Sequence, residues 1–224
     1  MIKLYHGSVN IVEQPIFGQG KIYNDYGLGF YCTEDIDMAK EWAVTDTQDG
    51  YANCYELDLT DLSILDLNHE GYTILHWLSV LLANRRFDAP SALALEAKEY
   101  LFEHFSVNFD DYDLIKGYRA DDSYFSFAQD FVNGTISYRQ LGNAMRLGKL
   151  GQQIALKSEA SFLSIRHIGY EVARKEEWYI RKTNRDKTAR REYFDNEKNR
   201  RMKGDIYITH ILDEEMMPDD PRLR

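Results

Sequence analysis

The chain predicts a single α+β domain on three observations. Strand-like and helical runs alternate from end to end, with no repeat or linker between them. The residues are 44% hydrophobic and 13% aromatic, enough to bury one core, which excludes wholesale disorder and a fibrous repeat. At 224 residues the chain fits one good-sized domain over positions 1–224.

Lys3–His6 is a short strand and Phe30–Thr33 another, joined by a glycine-rich loop through Phe17-Gly-Gln-Gly20 and Tyr26-Gly-Leu-Gly29. Thr33 or Asp35 caps a helix in which Met38, Ala39, Trp42 and Ala43 recur at intervals of three and four. Ala52–Leu59 alternates and Leu62–Leu67 is a second apolar run; the two read as paired strands. Tyr72–Arg86 and Ser91–Phe105 read as helices, the second opening on an N-cap serine after Pro90. Asp113–Tyr118 is a strand, and helices over about Asp122–Val132 and Ser137–Leu147 are separated by Asn133-Gly134. Three strands close the chain, at Gln153–Lys157, Ile165–Ala173 and Asp205–Leu212.

With 27 Lys+Arg against 37 Asp+Glu, the formal charge of −10 disfavours general binding to nucleic acid or to an anionic membrane. The longest apolar stretch, Ile74 to Ala83, is too short to span a bilayer. No secretory signal is recognisable, so a cytoplasmic protein is expected, with delivery into another cell left open. Arg166 to Lys203 reverses the charge, with 13 Lys+Arg against 7 Asp+Glu. The basic excursion over about 174–203 reads as a solvated helix or partly mobile segment. Its sharper reading is a basic lip for a phosphate-bearing ligand or an acidic, antitoxin-like protein partner. Cys32 and Cys54 form no metal-like pair, and the six histidines include no zinc-protease spacing, so no metal site is expected. Neither a phosphate-binding Gly-Lys loop nor a Gly-x-Ser-x-Gly elbow occurs.

Three segments carry candidate chemistry. Leu4-Tyr5-His6-Gly7-Ser8 delivers a histidine at a strand end, followed by a glycine that permits close backbone approach. Asp25-Tyr-Gly-Leu-Gly-Phe-Tyr31-Cys-Thr33 is a glycine-flexed loop leading into a strand that displays an aromatic ring, with Ala39 and Trp42 on the helix behind it. Gly151-Gln152-Gln153-Ile-Ala-Leu is a strand that opens with polar amides. A lone histidine at a strand end is ordinarily just a satisfied side chain; the order of the three carries the signal.

That order, His6, Tyr31, Gln153, resembles the ADP-ribosyltransferase superfamily, in its diphtheria-toxin-like and poly-ADP-ribose-polymerase-like branch. The whole chain is similar to a bacterial domain-of-unknown-function family assigned to that superfamily. Tyr112-Asp-Leu-Ile-Lys-Gly-Tyr-Arg-Ala-Asp-Asp122, Gln153-Ile-Ala-Leu-Lys-Ser158 and the tail from Ile206-Tyr-Ile to Asp220-Pro-Arg-Leu223 extend the match. The resemblance implies a split β-sheet core with helical insertions, one of them at about 70–106. It implies NAD as substrate, with His6 on the nicotinamide-side ribose, the Gly7 backbone on the carboxamide and Tyr31 stacked on the nicotinamide ring. Tyr5, Ser8, Thr33 and Trp42 complete the implied binding set, although Trp42 reads mostly as helix packing.

Gln153 falls where the family has a catalytic glutamate. A neutral amide can hydrogen-bond a ribose hydroxyl but brings no charge to a developing cation. Polymer elongation is therefore not expected; mono-ADP-ribosyl transfer to a macromolecule, as in a toxin or effector, leads. NAD hydrolysis, or binding without chemistry by an NAD- or protein-interaction module, is the alternative. On the binding reading, Gln153→Glu should switch hydrolysis on. Gln152 replaces Gln153 if the strand register is one residue off. Asp121, Asp122 and Glu159 are candidates for the missing charge, against helix capping for the Asp pair. Arg85, Arg86 or the basic segment would meet the pyrophosphate.

Overall fold

The computed structural model describes residues 1–120, 122–147 and 151–223; at 122 and 123 the backbone alone is described. β1 (Ile2–Ser8) runs antiparallel to β3 (Gly50–Leu57), and β7 (Ile165–Ala173) lies antiparallel on the far side of β3, giving a three-stranded sheet ordered β1-β3-β7. β2 (Phe30–Cys32), β6 (Gln152–Leu156), β5 (Leu114–Tyr118) and β4 (Ile64–Asp66) form a second sheet in that order, with the β4–β5 pair parallel. The sheets meet at one bridge, where Tyr5 and Thr33 exchange backbone hydrogen bonds of 2.8 and 2.9 Å. A small apolar cluster of Leu4, Cys32, Leu57, Leu114, Ile154 and Leu156 fills the seam beneath that bridge.

α1 (Ile36–Ala43) starts at Asp35, whose carboxylate accepts from the Asp37 and Met38 N–H groups and satisfies two orphan donors of the first turn. The helix lies on β1 so closely that a Cβ on Gly7 would stand 2.0 Å from the Ala39 carbonyl oxygen. Helix packing alone demands glycine at position 7.

The larger core lies between the four-stranded sheet and a helical layer. α2 (Ile74–Asn84), α3 (Ala92–His104), α4 (Asp122–Val132) and α5 (Tyr138–Ala144) bury Trp77, Phe105, Tyr124, Phe127 and Phe131 against Leu65, Ile115 and Ala155. Thr73, Ser91 and Ser137 cap three of these helices with their side chains. α6 (Glu159–Leu163) precedes β7, and α7 (Lys175–Glu192) follows it and passes into a π-helical turn at Tyr193–Glu197. The chain closes with α8 (Ile208–Asp213) and a 3₁₀ turn at Pro221–Leu223. Among the described residues this is one compact mixed α+β domain with two sheets and eight α-helices. No described helix is long and apolar enough to cross a membrane.

Two expectations are corrected. The run Asp205–Leu212 is not a strand: Ile208 and Ile211, three residues apart, point into the helical core from α8. The Ala52–Leu59 and Leu62–Leu67 runs do not pair with each other. β3 is held between β1 and β7, whereas β4 crosses to the other sheet and pairs with β5. The basic excursion is largely α7, and several of its cations are paired within the fold. Arg185 meets Glu41 at 2.6 Å, Arg181 meets Glu177 at 2.8 Å and Arg190 meets Asp186 at 3.0 Å.

Candidate active site

The split between the sheets opens on a cleft of about 1230 Å³. His6 reaches it from β1, Tyr31 from β2 and Gln153 from β6, so three residues scattered over the sequence line one cleft. Leu4 and His6 face the same way, since side chains alternate along a strand; Leu4 seals the seam and His6 stands where the seam widens.

The His6 ring lies 4.3 Å from the Phe30 ring, tilted by 31°, and its Nδ1 is 2.7 Å from the Tyr31 carbonyl oxygen. A carbonyl only accepts, so Nδ1 carries the proton and Nε2 remains as an acceptor. Burial pushes the imidazole below its ordinary value, with the hydrogen bond to the Tyr31 backbone opposing, and the ring is neutral at pH 7. The Tyr31 hydroxyl donates to the Gly27 carbonyl at 2.6 Å and accepts from the Tyr26 N–H at 3.1 Å. Burial raises this phenol far above its ordinary range. The hydroxyl is thus a strut for the glycine loop, and the ring is what Tyr31 offers the cleft. Gly27 adopts a φ of +72°, and a Cβ there would stand 2.6 Å from the Asn84 side-chain oxygen, so the turn needs glycine. Lys157 fastens the same loop through the carbonyls of Tyr26 (2.5 Å) and Leu28 (2.6 Å).

Gln153 is 4% exposed, and its Nε2 donates to Asp25 Oδ2 at 2.6 Å and to the Tyr118 carbonyl at 3.3 Å. Asp25, 6% exposed, also accepts from the Ala120 N–H at 2.8 Å and faces Arg85 Nε at 3.3 Å. Burial raises the Asp25 carboxyl above its ordinary value, opposed by Ala120, Arg85, Gln153 and Arg119. On the other flank, the Arg119 guanidinium sits 4.3 Å from the Trp42 ring centroid. The buried Trp42 indole N–H has no hydrogen-bond partner among the described residues. Lys21, Arg85, Arg119 and Lys182 all line the cleft, against Asp25 and Glu13, a basic balance inside an acidic chain.

Of the expected set, His6, Gly7, Ser8, Tyr31, Trp42 and Gln153 line the cleft. Tyr5 and Thr33 do not: their backbones are spent on the bridge between the sheets, and Thr33 Oγ1 accepts from the Asp35 N–H. Gln152 is also off the wall; it is Gln153, opposite Gly117 of β5, that faces inward. Glu159 opens α6 on the exposed surface, away from the cleft. Asp121 lies outside the described residues, as does the Asp122 side chain. Arg85 is tied to Asp25 and to the Ala120 carbonyl at 2.6 Å, Arg86 lies over the Tyr23 ring at 4.2 Å, and Lys182 is the member of the basic segment at the cleft. Sequence reasoning missed Asp25 and Arg119. Asp25 was legible as the first residue of the glycine-rich stretch that ends at Tyr31, but nothing in its spacing announced that it would stand beside Gln153, 128 positions away. Among the described residues, no three His, Cys, Asp or Glu side chains gather as a metal site would require.

The chain belongs to the DUF3990 family of proteins of unknown function, whose sequence model matches residues 2–167. That span holds His6, Asp25, Tyr31, Arg119 and Gln153 and ends within β7. No curated protein and no solved structure matches the chain.

Proposed function

We propose that this cleft binds NAD, cleaves the bond between nicotinamide and ribose, and passes ADP-ribose to a macromolecular acceptor as a mono-ADP-ribosyltransferase. The observation that carries the reading is that His6, Tyr31 and Gln153, in that order along the chain, all line one large cleft. The volume exceeds the ~300–1,000 Å³ of ordinary small-molecule sites and suits an extended dinucleotide.

NAD supplies a leaving group that is already cationic: the C1′–N bond breaks, its electron pair departs with neutral nicotinamide, and the acceptor's nucleophile bonds to C1′ while losing its proton. The protein's part is to hold and orient. His6 Nε2 is an acceptor for a ribose hydroxyl, and the fixed Tyr31 ring is a stacking face for the pyridine. Lys21, Arg119 and Lys182 are cations for the phosphates.

Release of nicotinamide from NAD, measured with and without cell lysate, tests the reading. Release that needs lysate marks transfer, and release without it marks hydrolysis. His6→Ala and Tyr31→Ala are each expected to lower release by about a hundredfold or more, the scale at which single positioned groups act. Full activity in both variants would refute the proposal. The neutral Gln153 favours one second reading, an NAD-binding module without turnover; saturable NAD binding that is lost in His6→Ala, with no release under any condition, would establish it.

A further inference from the structure

Gln153 raises the question of how a site of this kind manages without a carboxylate at that position, and the hydrogen bonds around Asp25 answer it. Asp25 Oδ2 accepts two donors, the Ala120 N–H at 2.8 Å and Gln153 Nε2 at 2.6 Å, while Oδ1 faces Arg85 Nε at 3.3 Å. An ionised carboxylate only accepts, so the group that Gln153 turns toward it must be the amide NH₂. The second N–H of that group points at the Tyr118 carbonyl at 3.3 Å. With both N–H bonds directed into the protein, what Gln153 has left for a ligand at the cleft wall is Oε1.

We infer that Asp25 and Gln153 work as one acceptor unit, in which Asp25 is the positioning residue that fixes the Gln153 amide so that its carbonyl oxygen meets a ribose hydroxyl of NAD. The unit stands in for a carboxylate in two pieces. Gln153 Oε1 supplies the directional acceptor, and the charge sits one hydrogen bond behind it, where it polarises the amide and adds negative potential facing the carbon at which positive charge develops. Asp25 reaches this place because the Lys157-fastened glycine loop begins there and because Ala120, at the end of the segment after β5, supplies an N–H. The inference rests on the NAD reading for its substrate but not for its geometry.

One expectation from sequence is reversed by this arrangement. Gln153→Glu would set two carboxylates at the 2.6 Å separation now spanned by a hydrogen bond. Such a pair cannot both ionise, and one keeps a proton. The substitution is therefore expected to disable the unit rather than activate it. Exchanging the two roles, Asp25→Asn together with Gln153→Glu, restores one charge, one amide and the hydrogen bond between them.

The experiment compares the natural protein, Asp25→Asn, Gln153→Glu and the double variant. Its first readout is the Gln153 side-chain amide resonance in ligand-free protein. The signal is expected to shift as Asp25 titrates and to move in Asp25→Asn; an amide unmoved by both overturns the inference whether or not NAD is a substrate. The second readout is nicotinamide release. Each single variant should lose about a hundredfold, and the double should recover at least about tenfold over the worse single, a rescue that a merely structural role would not produce. Release within about threefold of the natural protein in Asp25→Asn, or no rescue in the double, also overturns it. If the natural protein releases no nicotinamide, the transfer reading fails and the amide readout still decides the pairing.

Should a single variant fold poorly, the pH profile of the natural protein serves: release should fall as acid protonates Asp25, at a pH above the ordinary carboxylate value of 3.8. The groups facing Asp25 are Arg85 at the end of α2, Arg119 after β5, Gln153 on β6 and the phenols of Tyr26 and Tyr31. Burial pushes both phenols above their ordinary range, which leaves Asp25 and, across the cleft, His6 for the transition. The two are separated by the imidazole signals of His6. A profile flat from pH 7 down to 4 would contradict the inference.

Discussion

The two sheets of this domain are built on different terms. The four-stranded sheet is roofed by helices, with Trp77, Tyr124, Phe127 and Phe131 fully buried above it, and its polar groups at the cleft are tied into one network through Gln153, Asp25, Ala120 and Arg85. The three-stranded sheet is thin by comparison. Its outer strand, β7, leaves Ile168, Tyr170 and Val172 exposed, and β1 gets its main cover from the short helix α1. The contrast matches the labour assigned to each side. Gln153, its amide held by two hydrogen bonds, is on the helix-covered sheet, whereas His6, with one hydrogen bond to set its tautomer, is on the lighter one.

The comparison can be broken by truncation. Trp77→Ala removes a fully buried ring and its 3.1 Å hydrogen bond to the Tyr118 carbonyl, next to Gln153. It should cost about 3–5 kcal/mol in urea unfolding, the usual range for an aromatic lost from a core. Val172→Ala on the exposed strand should cost within about 0.5 kcal/mol. Equal costs would mean that the two sheets are supported alike.

Gly7→Ala probes the one place where the lighter sheet is tightly packed. The added methyl meets the Ala39 carbonyl at 2.0 Å, a backbone atom that cannot rotate away, so α1 must shift. A loss of about 1–3 kcal/mol is expected, together with displacement of His6; an unchanged melting temperature would contradict the packing account. Tyr31→Phe should cost about 1–2 kcal/mol, because the Gly27 carbonyl and the Tyr26 N–H lose their partner. It keeps the ring, so NAD binding should weaken far less than in Tyr31→Ala.

The smallest expected effect is on pH dependence. Burial holds His6 and His76 below the ordinary 6.5. A base with a depressed folded-state value resists protonation when folded. Its contribution is therefore complete above about pH 6.5 and is lost as pH falls through the folded-state value, at no more than about 1.4 kcal/mol per pH unit for each group. His6→Gln should flatten stability measured from pH 7 to 5; an unaltered slope would place His6 in a more open setting.

Local patterns carried most of the fold. The i, i+3, i+4 spacing around Met38, Ala39, Trp42 and Ala43, and the cap residues Asp35 and Ser91, mark α1 and α3 because capping and amphipathicity act within one helix. The pairing of β4 with β5 rather than β3 was not legible, since strand partners are chosen by long-range packing. Ile206 and Ile208 alternate like a strand, and only the demand of the helical core for Ile208 and Ile211 together makes α8. At the site, His6, Tyr31 and Gln153 could be named from motif order. Asp25 could not be assigned a role, because its partners, Gln153 on β6 and Ala120 after β5, are distant in sequence.

Whether His6 and its neighbours form a site for NAD is read most simply from the imidazole resonances of His6. The chain holds only six histidines, so labelled imidazole nitrogens can be followed singly at pH 7 as NAD is added. The account predicts a neutral ring with its proton on Nδ1, whose Nε2 signal shifts saturably while those of His69 and His210, remote from the cleft, stay in place. A His6 signal unmoved by saturating NAD would contradict it.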